Sequence, residues 1–112
     1  GVPLPLDKVQ SGIVQAKADL HAGHGQRAAL SIMTTDTKPK WAGVMLRDDT
    51  GRSLGVVSGI AKGAGMIHPN MATMLAVILT DLAVDGALLS EILCQVTETS
   101  FNRISVDGDT ST

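Results

Sequence analysis

The segment Gly59 to Leu75, Gly-Ile-Ala-Lys-Gly-Ala-Gly-Met-Ile-His-Pro-Asn-Met-Ala-Thr-Met-Leu, constrains this chain more than any other. It reads as a bendable, Gly-rich loop that ends in an Ala-Thr step. An unbroken apolar run then begins, Met74 through Leu79, which reads as a buried strand. A threonine on the first residue of such a strand sits where a self-cleaving peptide bond could expose an N-terminal threonine nucleophile. A nucleophile of that kind carries its own base, the freed α-amine. Threonine also favours strands with no chemistry attached, so the local sequence leaves both readings open.

A chain of 112 residues has the length of one domain with a workable core. It holds one Trp, one Phe and no Tyr, so such a core has to be built from Ala, Val, Ile, Leu and Met. The net charge of −2 is spread along the chain and gives no electrostatic case for nucleic acid or an anionic membrane. No apolar run approaches the ~20 residues of a membrane-spanning helix. The lone Cys94 excludes an internal disulfide and points to a reducing compartment, the cytoplasm, or an organelle in a eukaryote. The opening at Gly1 and the stop at Thr112, inside a small polar run, read as cuts through a larger protein.

Leu6, Val9, Ile13, Ala16 and Leu20 recur at helical spacing behind Pro3 and Pro5. His21 to Gly25 breaks that pattern, and Gln26 to Met33 predicts a short Ala-rich helix. Trp41 to Leu46 and Ser53 to Ser58 predict two strands joined by a hairpin loop, with Asp starting the turn and Gly51 free to take positive φ. A third strand is expected over Thr73 to Thr80. Asp85 is placed to cap a helix whose buried side is Leu88, Leu89, Ile92, Leu93, Val96 and Phe101. Ile104 and Val106 suggest a last strand before Asp107-Gly108-Asp109. Helices and strands mix without strict alternation. The fold class is therefore α/β or α+β, with a mixed, largely antiparallel sheet and packed helices.

Several isolated signals are weak. Gly63-x-Gly65 lacks the third glycine and the Gly-Lys-Ser/Thr of phosphate loops. His21, His24 and His68 do not supply convergent metal ligands, and no metal is expected. Asp107, Asp109 and Ser111 lack the central glycine and closing Glu of a calcium loop and read as a polar turn. The hydroxyls of Thr34, Thr35 and Thr37 around Asp36 fit either a helix end passing into a turn or a hydrogen-bonding lip for a small polar ligand. Lys62 is either a solvated surface group or a cation that binds a substrate carboxylate or favours charge build-up in a transition state.

Four blocks in order carry a more specific signal: Met33-Thr-Thr-Asp-Thr-Lys-Pro-Lys40, Ile60-Ala-Lys-Gly-Ala-Gly-Met-Ile67, Pro69-Asn-Met-Ala-Thr-Met-Leu75, and Ser100-Phe-Asn-Arg-Ile-Ser-Val-Asp-Gly-Asp-Thr-Ser-Thr112. Together with the opening Pro3-Leu-Pro-Leu-Asp-Lys-Val9, they resemble the ornithine acetyltransferases, or glutamate N-acetyltransferases, of arginine biosynthesis. The resemblance covers nearly the whole chain. It implies that residues 1–112 are the central part of one catalytic domain with the ornithine acetyltransferase fold. It implies self-cleavage at Ala72–Thr73 into α and β chains that assemble into a heterotetramer. Thr73 is then the nucleophile, and Lys62 and Thr34 contact substrate, with Thr35 and Thr37 as neighbouring candidates for the place of Thr34. The implied reaction moves acetyl from N2-acetylornithine to glutamate through an acetyl-threonine ester. No cofactor is implied, although some members accept acetyl-CoA.

The resemblance also implies parts this sequence does not contain. The family's oxyanion donors are a Thr-Gly pair just before Gly1, and a pocket Glu and carboxy-terminal polar residues lie beyond Thr112. These 112 residues alone are therefore expected to be inactive. Two other function classes stay in view. One is an amidase or aminopeptidase with an N-terminal nucleophile, which would pass the acyl group to water. The other is a non-catalytic interaction fragment.

Overall fold

The computed structural model describes residues 1–70 and 74–110. Among them are three α-helices and one three-stranded antiparallel sheet, an α+β fold: α1 (Leu6–Ala18), α2 (Gly25–Ser31), β1 (Lys40–Arg47), β2 (Ser53–Ala61), β3 (Ala76–Thr80) and α3 (Gly86–Thr99). The sheet order is β1-β2-β3. Lys40 lies opposite Ala61 and Val44 opposite Val57; Ala61 in turn lies opposite Ala76, and Gly59 opposite Ile78.

The β1–β2 turn forms for the reasons its sequence supplies. Asp48 Oδ1 accepts the amides of Thr50 and Arg52, each at 3.0 Å, and the Thr50 hydroxyl. Gly51 takes φ +85°, which a side chain would resist. The carboxyl of Asp48 is held below the ordinary carboxylate range, first by the Thr50 hydroxyl and then by the Arg52 amide. Asp85 caps α3 as expected, accepting from the Ala87 and Leu88 amides at 2.9 and 3.2 Å.

Three expectations are corrected. β3 begins at Ala76, not Thr73, and Thr73 lies outside the described residues. Its partner β2 ends at Ala61, and Gly63 then turns the chain away at φ +128°, so the ladder has no earlier rungs to offer. The last strand shrinks to a bridge in which Ile67 and Val106 exchange two backbone bonds of 3.2 and 2.8 Å. Asp107 forms a second isolated bridge to Ile67, and positive φ at Asp107 and Gly108 keeps the pairing from extending into a ladder.

The third correction concerns the core. Ala29 and Ile67 are the buried hydrophobic residues among those described. Ala29 sits on α2, which packs on β1 and β2. The expected buried side of α3 is not covered: Leu88, Leu89, Ile92, Leu93 and Val96 are 43–50% exposed. Phe101 is half-buried. Among the described residues no element packs on α1, whose Leu6 and Ile13 stand 66% and 63% exposed. Both sheet faces are apolar as well. Val44, Val57 and Ile78 share one, and Trp41, Met45, Val56, Val77 and Leu79 share the other. A sheet apolar on both faces is composed for an inner layer, with cover on each side.

Candidate functional site

The Gly-rich loop is the connection between two strands that are direct neighbours. It leaves the sheet after Ala61 and returns at Ala76, the residue opposite. The Lys62 amide donates to the Leu75 carbonyl at 3.2 Å, which closes the neck of the loop. A connection this long between paired strands needs its own supports, and distant side chains supply them.

Three side chains act as clamps. Asp36 Oδ1 accepts the Gly63 amide at 2.7 Å, and Asp36 Oδ2 accepts the Thr34 amide at 3.3 Å. The Lys40 ammonium pairs with the same Oδ1. Asp107 Oδ2 accepts the Met66 amide at 2.9 Å. Asn102 Oδ1 accepts the Asn70 amide at 3.1 Å, while its Nδ2 donates to Glu98 at 2.7 Å. The Ile67–Val106 bridge adds two backbone bonds between the second and third clamps. Loop residues 63 to 70 are thus tied to residue 36 on one side and to residues 102–107 on the other.

The loop backbone so held is unusual. Met66 and Asn70 take φ +54° and +62°. Positive φ is disfavoured for a residue with a side chain; Asn tolerates it, whereas for Met it stores of order 1 kcal/mol. Gly63 has a second constraint, because a Cβ there would stand 3.0 Å from Ile67 Cδ1. Gly65, by contrast, takes no positive φ.

The electrostatics follow from the clamps. The Asp36 side chain is 1% exposed, so its carboxylate needs compensation. The Lys40 ammonium is the largest source of it, with the Gly63 and Thr34 amides adding to it, and they hold the carboxyl down at about 2 against the opposing effect of burial. Asp107 is likewise lowered, mainly by the Met66 amide.

The clamped loop and the segment after α2 enclose a cavity of about 430 Å³. Thr34 and Thr35 line one wall, Lys62 to Ile67 the other, and Met74 and Asp107 complete it. The structure therefore brings Thr34, Thr35 and Lys62 to one cavity. Thr34 and Thr35 are exposed and Lys62 is half-buried. Ala72 and Thr73 lie outside the described residues; Met74, next in the chain after Thr73, is on the cavity wall. His21 and His24 are elsewhere, engaged locally: His21 Nδ1 accepts the Gly23 amide at 3.0 Å, and the two rings lie 4.9 Å apart. Among the described residues no three His, Cys, Asp or Glu side chains are grouped so as to hold a metal ion.

Sequence reasoning passed over Asp36, Asp107 and Asn102 as clamps. Asp107 could be placed in a polar turn, and it does accept the Asp109 amide at 3.2 Å. Nothing local announced the partners 27, 41 and 32 residues away.

The ArgJ family model matches residues 1–112. The chain is 54% identical over 112 residues to an arginine biosynthesis bifunctional protein ArgJ of Symbiobacterium thermophilum. It is 53% identical to that of Methylococcus capsulatus over 112 residues, and 50% identical to that of Geobacter sulfurreducens over 115. All of this chain is covered in each case, against 27%, 27% and 28% of the three relatives, so it spans about a quarter of their length. The chain belongs to the ArgJ family, which bears out the resemblance read from its motif blocks.

Proposed function

We propose that this ArgJ-family chain is the part of an acetyltransferase that carries its nucleophile, Thr73, and two substrate contacts, Thr34 and Lys62. The observation that carries the proposal is the single cavity lined by Thr34, Lys62 and Met74, the last being the chain neighbour of Thr73. The overall reaction is transfer of acetyl from N2-acetylornithine to glutamate. No cofactor is required, and acetyl-CoA is a further possible donor. Residues 1–112 form the central part of one catalytic domain across the 72/73 junction.

Activation comes first. The Thr73 hydroxyl attacks the Ala72 carbonyl, the Ala72–Thr73 C–N bond breaks as the ester forms, and water then opens that ester. The clamped, positive-φ backbone upstream supports this step by fixing the approach to the scissile bond. The released α-amine has a reference pKa of about 7.7–8.0 and can take the hydroxyl proton near neutral pH.

Transfer follows in two halves. The Thr73 Oγ attacks the acetyl carbonyl, and its proton passes by way of the α-amine to the departing ornithine nitrogen. The acetyl ester on Thr73 is then attacked by the amine of glutamate, and Oγ recovers a proton as the ester bond breaks. Lys62 supplies a cation for a substrate carboxylate, and the Thr34 hydroxyl supplies a hydrogen bond. Each donor aimed at the oxyanion is worth roughly 3–4 kcal/mol in such reactions. The α and β chains stay associated and pair into a heterotetramer, in the cytoplasm. No helix among the described residues is long and apolar enough to cross a membrane.

The test uses the full-length protein with N2-acetylornithine, with and without glutamate. Acetylglutamate is the expected product. Acetate alone would replace transfer by hydrolysis, and no acetyl release would leave a non-catalytic role.

A further inference from the structure

Asp36 has no place in the chemistry just described, yet its carboxylate is the most enclosed charged group among the described residues. Its bonds span the cavity. Oδ2 accepts the amide of Thr34, on one wall, and Oδ1 accepts the amide of Gly63, directly after Lys62, on the other. The Lys40 ammonium, at the start of β1, fixes Oδ1 from a third direction. One rigid, planar group therefore joins both walls to the edge of the sheet.

We propose that Asp36 is a positioning residue that sets the separation of Thr34 from Lys62, and with it the fit of the substrate between the two walls. The proposal rests on the acetyltransferase reading of this cavity. The chemistry of the clamp is specific to a carboxylate. Both amides and the ammonium are donors, so all three need acceptor oxygen. An Asn of identical shape has one oxygen and one NH2. With its oxygen toward Gly63 and Lys40, the NH2 faces the Thr34 amide, donor against donor; the flipped rotamer confronts the Gly63 amide instead. Either way one wall is released and the other retained. Lys40 does not line this cavity, so its removal weakens the anchor without touching either wall.

The experiment compares full-length wild type, Asp36→Asn and Lys40→Met. Melting temperature, extent of cleavage at Ala72–Thr73 by intact mass, and KM and kcat for N2-acetylornithine per cleaved chain are measured. Asp36→Asn is expected to raise KM about tenfold while kcat falls less, because contacts that bind substrate are misplaced. Lys40→Met is expected to raise it by a smaller factor. A folded Asp36→Asn protein that stays uncut also supports positioning, since Gly63 is at the base of the loop that leads to the cleavage bond. A merely structural Asp36 would lower melting temperature and yield, with cleavage and KM of the folded fraction unchanged; that result overturns the proposal. A wild-type protein that transfers no acetyl group overturns the acetyltransferase reading, and the positioning role with it.

Discussion

The loop from Lys62 to Asn70 and the helix α1 are held in opposite ways. The loop has almost no regular structure, yet its amides reach Asp36, Asn102, Asp107, Leu75 and Val106. α1 is a regular 13-residue helix, and none of its residues is buried. Its bonds are local, such as Gln15 to Ser11 at 3.3 Å and the Asp19 amide to the Gln15 carbonyl at 3.0 Å. The loop is held by directional polar bonds to side chains and backbone elsewhere in this chain. The scaffold presents apolar stripes that no element among the described residues covers. Regularity of backbone and completeness of tertiary support are thus separate properties.

The sharpest way to break the contrast is chemical. Thr73→Ala in the full-length protein is expected to stop cleavage and lower acetyl transfer by on the order of a thousandfold or more. The helices should melt as in the wild type. Unchanged activity would mean that the clamped loop serves something other than Thr73.

Next comes the loop backbone itself. Gly63→Ala places a methyl group 3.0 Å from Ile67 Cδ1 in a backbone at φ +128°. A loss of about 1–3 kcal/mol is expected from thermal melts, together with slower cleavage. A cap on the scaffold side should cost less and leave cleavage alone: Asp85→Ala removes the acceptor of the Ala87 and Leu88 amides, for about 1 kcal/mol. Equal effects of the two variants on cleavage would erase the distinction between site and scaffold.

A pH titration sharpens it further. The Asp36 carboxyl is held at about 2 when folded, below its ordinary value of 3.8. A depressed carboxylate stabilises the fold fully above the unfolded value, and that contribution is lost as pH falls through the folded one. Asp107 is shifted in the same direction. The Gly63 amide should therefore stay protected from exchange down to about pH 4 and lose protection between about 4 and 2, and the Met66 amide should lose its protection only below the ordinary carboxylate range. Protection lost already near pH 6 would contradict the clamps. The smallest effect belongs to the uncovered surface. Removing Ile13, 63% exposed on α1, from the 112-residue chain should change stability by no more than about 0.5 kcal/mol. The same chain should bind a hydrophobic dye through Trp41, Leu79 and the α3 face, and a chain that binds none would mean those residues find cover among themselves.

Local patterns carried most of the secondary structure. The spacing of Leu6, Val9 and Ile13, the Asp48–Gly51 turn and the Asp85 cap each act within one turn, so the sequence displays them directly. The start of β3 was misjudged by three residues, from Thr73 to Ala76, because strand length depends on where the partner ends, not on the apolar run itself. Burial was misjudged on α3 for a related reason: periodicity tells which face wants cover, not whether this chain supplies it. At the site, Thr34 and Lys62 stood out through motif blocks, and the structure lays them on one cavity. Asp36, Asp107 and Asn102 stayed hidden, because a side-chain acceptor for an amide 27 or more residues away leaves no periodic trace.

The central claim is that residue 73 becomes a chain end and carries the acetyl group. Intact-mass analysis of the full-length protein, followed by peptide mapping after brief exposure to N2-acetylornithine, tests it most directly. The account requires two chains parting between Ala72 and Thr73, with acetyl on the Thr73 hydroxyl. An uncut but active chain, or acetyl on any other side chain, would contradict it.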